Sequence, residues 1–280
     1  MIMSKRIIFC TLAMVALFFT GTTALAKSED LSVMSFNLRG KETDEAGDFS
    51  WASRKKGCLK AIKKYDPDII FLQDAFAYHK ADLMKEFKKH MLVDRSAKPG
   101  TVDPEVRNNE NPIMFRADKF ELLDYGSFLL NDLRNITWVK LRYKKSGVIF
   151  FCFNTQFDED EATLRTNSEL MADKVKEIAG DDAVVFAGGD FKMSSSDRLM
   201  SPLSSYIKDS NYSLKKPDTR ATFNGLGKPG NFPLWPDHIL VRNAKTESYE
   251  VVDSKKYGPK YISDHYPVYA EFEIPIPKGK

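Results

Sequence analysis

"AVVFAGGDFK", residues Ala183–Lys192, is the stretch from which the rest of the chain can be ordered. Its apolar run has no helical period and closes on two glycines and Asp190. It therefore reads as a strand buried on both faces that delivers a carboxylate at its C-terminal end. The same layout recurs upstream. "LSVMSFNL" (31–38) alternates as a strand and reaches Asn37, "DIIFLQ" (68–73) runs into Asp74, and "VIFFCFNT" (148–155) carries Asn154 and leads to Gln156. Downstream, Asp237 precedes the apolar run "HILV", and Asp264 and His265 precede the alternating "PVYAEFEI". Polar side chains gathered at strand ends converge on one mouth in α/β proteins. An amide, several carboxylates and a histidine suit a hard divalent cation and a phosphate oxygen.

Between these strands lie helical patterns. "SRKKGCLKAIKKYD" is a helix stopped by Pro67, and "HKADLMKEFKKH" (79–90) is an amphipathic helix with Leu83 and Phe87 four apart. In "ATLRTNSELMADKVKEIAG", Leu164, Met171, Val175 and Ile178 form one apolar stripe, with Gly180 past its end. "IMFR", "FELLDYGSFLL", "TWVKLRY" and "VIFFCFNT" read as antiparallel strands, the last two joined by the turn "KKSG". "AKPGTVDPEVRNNENP" has turn formers and charges without period, which makes it a loop. Strands flanked by helices in this order predict two sheets packed face to face with helices outside. Composition alone does not separate this arrangement from other α/β folds.

The chain ends and composition set further bounds. Lys5 and Arg6 precede an uncharged apolar run from Ile7 to Phe19, and small residues follow up to Ala24-Leu25-Ala26. That is the layout of a signal peptide, residues 1–26, with cleavage after Ala26 and a mature domain of residues 27–280 that is secreted or periplasmic. The run is shorter than the ~20 residues of a membrane span. Cys58 and Cys152 remain in the mature domain, too few for a disulfide scaffold, so apolar burial must build the core. The formal charge is +3, of which Lys5 and Arg6 account for two, leaving 3 − 2 = +1 for a mature chain. Such a balance carries no electrostatic footprint for a polyanion, and nucleic acid as substrate finds no support in it.

The ordered series "SFNLRG", "WASR", "PDIIFLQDA", "NPIMFRADKFELLDYGSF", "FNTQFD", "AGGDFK", "ATFNG", "PDHILV" and "ISDHYPV" resembles the endonuclease/exonuclease/phosphatase superfamily. The resemblance spans residues 31–272. It implies a four-layer α/β/β/α sandwich, two mixed sheets face to face with helices outside, and a site at the strand ends. It further implies one Mg²⁺ or Mn²⁺ ion, with Asn37, Asp74 and Asp264 around the metal. Asp190 would orient or deprotonate the attacking water, His265 would contact the scissile phosphate, and Asp237 would orient His265. Asn154 and Arg54 are assigned to substrate contact. Trp51 pairs with Arg54 in a family pattern, and Arg54 is also within reach of a site acid. Phe232 and Trp235, in the loop before Asp237, either rim the site or pack.

The departures from the family pattern bear on catalysis. Asp74 stands where the family has glutamate, which shortens the ligand arm by one methylene. Gln156 replaces a histidine and can donate a hydrogen bond but carries no proton or charge. Lys192 replaces an asparagine, and its ammonium can contact phosphate or pair with Asp190. The loop at residues 98–111 matches the family poorly, so the resemblance transfers no substrate identity. Two functions are expected: a hydrolase of a phosphomonoester or phosphodiester, acting as a monomer, or a catalytically impaired relative that binds a phosphate ligand.

Overall fold

The computed structural model describes residues 28–40, 47–95, 97–104, 111–131, 134–231 and 234–277. The predicted signal peptide lies outside them, as does Phe232. The strands β1 (Ser28–Asn37), β2 (Ile69–Gln73), β3 (His90–Val93), β4 (Ile113–Arg116), β11 (Lys245–Val251) and β12 (Val268–Pro275) form one six-stranded sheet, ordered β11-β12-β1-β2-β4-β3. The second sheet, ordered β5-β6-β7-β8-β10-β9, holds β5 (Phe120–Leu129), β6 (Asn135–Tyr143), β7 (Ile149–Gln156), β8 (Val184–Asp190), β9 (Lys208–Asp209) and β10 (Asp237–Arg242). Each sheet has one parallel pair, β1 with β2 and β7 with β8. A parallel pair needs a crossover, supplied by α1 (Trp51–Tyr65) in the first sheet and by α3 (Glu161–Ala179) in the second. Among the described residues the other α-helices are α2 (Ala77–Glu86) and α4 (Ser201–Tyr206).

Strand alternation sorts the apolar residues into three layers. Val33, Phe71, Phe150, Phe186 and Phe272 fill the space between the sheets. Met34, Phe36, Ile70 and Leu72 face Cys58, Ala61 and Ile62 of α1. Phe151, Phe153, Val185 and Ala187 face Leu164, Met171 and Val175 of α3. Apolar burial on both faces is why the central strands read as continuous apolar runs. Both cysteines are buried and unpaired, Cys58 on α1 and Cys152 on β7. No helix among the described residues is long and apolar enough to cross a membrane.

Local signals account for most helix ends. Ser50 caps α1 through its side chain, and Asp160 caps α3 in the same way. Gly180 ends α3 at φ 72, where a side chain is disfavoured. The second helix departs from its sequence pattern: α2 ends at Glu86 instead of His90. The segment from His90 is taken by β3, whose pairing with β4 sets His90 opposite Arg116 and Val93 opposite Ile113. Sheet pairing overrides a helical period here because Leu92 and Val93 gain full burial as strand residues. The strands β9 and β11, absent from the sequence reading, are edge strands of the second and first sheets.

One glycine fixes how closely the two sheets approach near the site. A Cβ on Gly188 would lie 2.1 Å from a ring carbon of Phe71 on the facing sheet. Gly188→Ala should lower the free energy of unfolding by about 1–3 kcal/mol through overpacking. Urea denaturation measures this, and Phe71→Leu in the same chain should recover part of the loss.

Candidate active site

Strand register alone places three polar side chains together. Asp190, the last residue of β8, is opposite Gln156 on β7 and Asp237 on β10. From the other sheet, β1 ends at Asn37, opposite Gln73, the last residue of β2, and Asp74 follows. The loop before β12 carries Ser263, Asp264 and His265. Ser263 Oγ donates to the carbonyl of Asn37 at 2.7 Å and accepts from the backbone N–H of His265 at 3.2 Å. That hydroxyl ties the histidine loop to the end of β1.

Asp190 is fully buried. Its carboxylate accepts from Asn37 Nδ2 at 3.0 Å and from Gln156 Nε2 at 3.3 Å, and it pairs with Lys192 Nζ at 2.7 Å. Burial by itself would raise its pKa, but the charges of Lys192 and His265 outweigh that effect and hold it at about 2. Burial by itself would likewise lower the pKa of Lys192, yet Asp190 and Asp74 raise it above the ordinary lysine value. The Lys192 ammonium also lies 3.7 Å from Glu159. Lys192 and Asp74 both have left-handed backbone, φ 59 and φ 51, a conformation that costs a non-glycine residue energy and recurs at functional sites.

His265 Nδ1 faces Asp237, at 2.8 Å from one carboxylate oxygen and 3.1 Å from the other. Its Nε2 lies 3.8 Å from Asp190, beyond hydrogen-bond length. Burial opposes the charged imidazole, but Asp237 and Asp190 prevail and lift its pKa to about 9. Asp237 is raised, by burial first, against the lowering pull of His265. Phe223 covers the imidazole edge-on at 4.9 Å.

Of the residues assigned to this site, Asn37, Gln156, Asp190, Lys192, Asp237 and His265 form one contact network. Asp74 acts on it through the charge of Lys192, and Asp264 through that of His265. Asp264 pairs with Arg39 at 3.3 Å. The two expected substrate contacts are elsewhere. Asn154 is buried between the sheets, donating to the carbonyls of Leu72 and Pro112 at 2.7 and 2.8 Å and accepting from Gln73 at 2.7 Å. Arg54 is buried and donates to the carbonyls of Leu38, Arg39, Phe49 and Ile262. Both side chains brace the scaffold with their polar atoms engaged there. Trp51 packs against His79 at 4.4 Å between ring centroids. His90 and His238 are packed as well.

Residues that the sequence reading passed over complete the mouth. Arg134 donates to Gln156 Oε1 at 2.6 Å and pairs with Asp158 at 2.9 Å. This fixes the Gln156 amide so that its nitrogen faces Asp190. The acids after Gln156 in "TQFDED" were the available sequence signal for a basic partner, though they did not identify which one.

Two donor sets could meet a metal ion. Atoms of Asp190, Asp237 and His265 lie within 4.8 Å of one another, a grouping compatible with an ion by distance. In that group, however, Nδ1 of His265 is already engaged by Asp237. The set expected from the sequence, Asn37, Asp74 and Asp264, offers one amide and two carboxylates, donor chemistry of the kind that suits Mg²⁺ or Mn²⁺, with the Asn37 Oδ1 accepting from the backbone N–H of Arg39 at 2.8 Å.

Residues 34–265 match the model of the Endonuclease/Exonuclease/phosphatase family. The chain is 23% identical to tyrosyl-DNA phosphodiesterase 2 of Danio rerio, over 89% of this chain and 69% of that protein. Among solved structures, an endonuclease/exonuclease/phosphatase from Bacteroides vulgatus is similar at TM-score 0.75 and 23% identity, covering 88% of this chain and 99% of that one. A mannosyl-6-phosphatase of Bacteroides thetaiotaomicron is similar at TM-score 0.74 and 22% identity, covering 86% and 99%. Likeness at these identities establishes the fold.

The raised pKa of His265 gives a signed expectation. Its contribution to stability is fully present below the ordinary histidine value of 6.5 and is lost as pH rises through about 9. In metal-free buffer, NMR titration of the His265 ring should give a midpoint near 9, and Asp237→Asn should bring it down. A midpoint at or below 6.5 in the unaltered protein would contradict the assigned charge state.

Proposed function

We propose that this chain, which belongs to the Endonuclease/Exonuclease/phosphatase family, is a divalent-metal-dependent hydrolase of a phosphate ester. One observation carries the reading: a buried imidazole held as a cation by Asp237, with its free Nε2 edge toward Asp190. A cationic donor in a site screened from water suits a phosphoryl oxygen that gains charge in the transition state. When bound, one Mg²⁺ or Mn²⁺ ion supplies further charge neutralisation there, and Asn37, Asp74 and Asp264 would hold it.

The chain's own groups divide the remaining work. With a pKa near 2, Asp190 is a poor proton acceptor at neutral pH. Its role is to accept a hydrogen bond from the attacking water and aim it, leaving the proton to solvent. Gln156 holds that carboxylate in place and offers a neutral N–H where the family pattern has a histidine. The Lys192 ammonium, within reach of both Asp190 and the mouth, supplies the positive charge that Gln156 lacks.

The Lys192–Asp190 pair also favours a second reading, a protein that binds a phosphate ligand without turning it over. In that case the lysine quenches the group that should position water. Export through residues 1–26, giving a secreted or periplasmic chain that begins at Lys27, belongs to either reading.

For the hydrolase, Asp190→Ala and His265→Ala should each reduce kcat/KM on a panel of phosphate monoesters and diesters by about 10²-fold or more. Unchanged turnover in Asp190→Ala would place the activity at another site. For the binding protein, unaltered chain should show negligible turnover, and Lys192→Asn combined with Gln156→His should raise it by about 10²-fold or more. Calorimetry with Mn²⁺ gives an independent check: Lys192→Asn removes the competing ammonium and should tighten metal binding.

A further inference from the structure

A cavity of about 620 Å³ opens beside Lys192. Because the Lys192 ammonium touches Asp190, the cavity adjoins the point where a phosphate ester would react. Its lining includes the carboxylates Glu159, Glu161 and Asp197, the amide of Asn231 and the indole of Trp235. Trp235 is fixed by its ring N–H, which donates to the carbonyl of Thr219 at 3.2 Å, while 39% of the residue stays exposed. A pinned and open indole is a platform for a flat apolar surface.

We infer that this cavity receives the alcohol part of the ester and that this alcohol is a neutral sugar. The inference rests on the phosphoesterase reading and gives it a substrate class. A pyranose ring has an apolar C–H face, which suits one indole, and a rim of hydroxyls, which suits acceptors such as the three carboxylates and the Asn231 amide. Three acids around one lysine make the cavity electronegative, which repels the following phosphates of a nucleic acid strand. A quaternary amine would also be drawn to carboxylates and an indole. Such cations are recognised by cages of several aromatic rings, whereas Trp235 is the one aromatic residue lining this cavity among the described residues.

The test compares hexose 6-phosphate with phosphocholine and a single-stranded oligonucleotide, using the intact mature chain with Mn²⁺. Hexose 6-phosphate should give the highest kcat/KM. Trp235→Ala should raise its KM about tenfold, the size expected for loss of one stacking contact, with little change in kcat. Inhibition by inorganic phosphate, which reports the phosphoryl site alone, should be unaltered by Trp235→Ala. The inference is overturned if phosphocholine or the oligonucleotide is the better substrate, if Trp235→Ala leaves the KM unchanged, or if it weakens phosphate inhibition equally. Should no ester turn over, the hydrolase reading fails and calorimetric binding of hexose 6-phosphate decides the cavity separately. Binding weakened about tenfold by Trp235→Ala upholds the sugar site, and absent or unaffected binding rejects it.

Discussion

A carboxylate buried at the meeting point of two sheets must be compensated, and much of the geometry around Asp190 answers that need. An ion removed from water without partners costs several kcal/mol, so its hydrogen bonds and counter-charges must be supplied by fixed groups. Here they come from separate parts of the chain: Asn37 from the first sheet, Gln156 from the second, Lys192 from the turn after β8, and His265 from the loop before β12. Each partner is placed by a strand end or by a loop tied to one. Loss of alignment between the sheets would therefore strand a charge in the core.

The same constraint explains the braces behind the site. Arg54 holds the carbonyls of Leu38 and Ile262 on one guanidinium nitrogen, at 3.0 and 2.7 Å, which joins the loop after β1 to the loop that carries His265. Asn154 joins the other sheet to the carbonyls at Leu72 and Pro112. A buried polar group with all its bonds made rigidifies what it connects. The family resemblance assigned these two residues to substrate contact. Their burial and their exclusively internal partners give them a supporting role instead.

Charge is balanced pair by pair around the mouth. Asp264 has Arg39, Asp190 has Lys192, Asp237 has His265 and Asp158 has Arg134. Such pairing sets a cation beside each acid, and it leaves a divalent cation in competition with side-chain cations for the same oxygens. Lys192 is the most consequential of these because it also borders the neighbouring cavity. A single side chain thus links the reacting centre to the pocket that would select the alcohol.

The sequence by itself determined the buried strands, the two crossover helices and the polar residues that end the strands. These are local matters, set by apolar period, capping and chain punctuation at residues such as Asp160 and Gly180. It also carried the ordered motifs by which the family is recognised. Tertiary structure decided what period and motif leave open. It cut α2 short so that His90–Val93 could pair with β4, turned Asn154 and Arg54 into braces, and brought Arg134 onto Gln156. The reason is physical: Arg134 and Gln156 are 22 positions apart, and the bond between them exists only because β6 and β7 pair side by side. Side-chain partners across strands depend on register and burial, and those are fixed only when both sheets close on the common core.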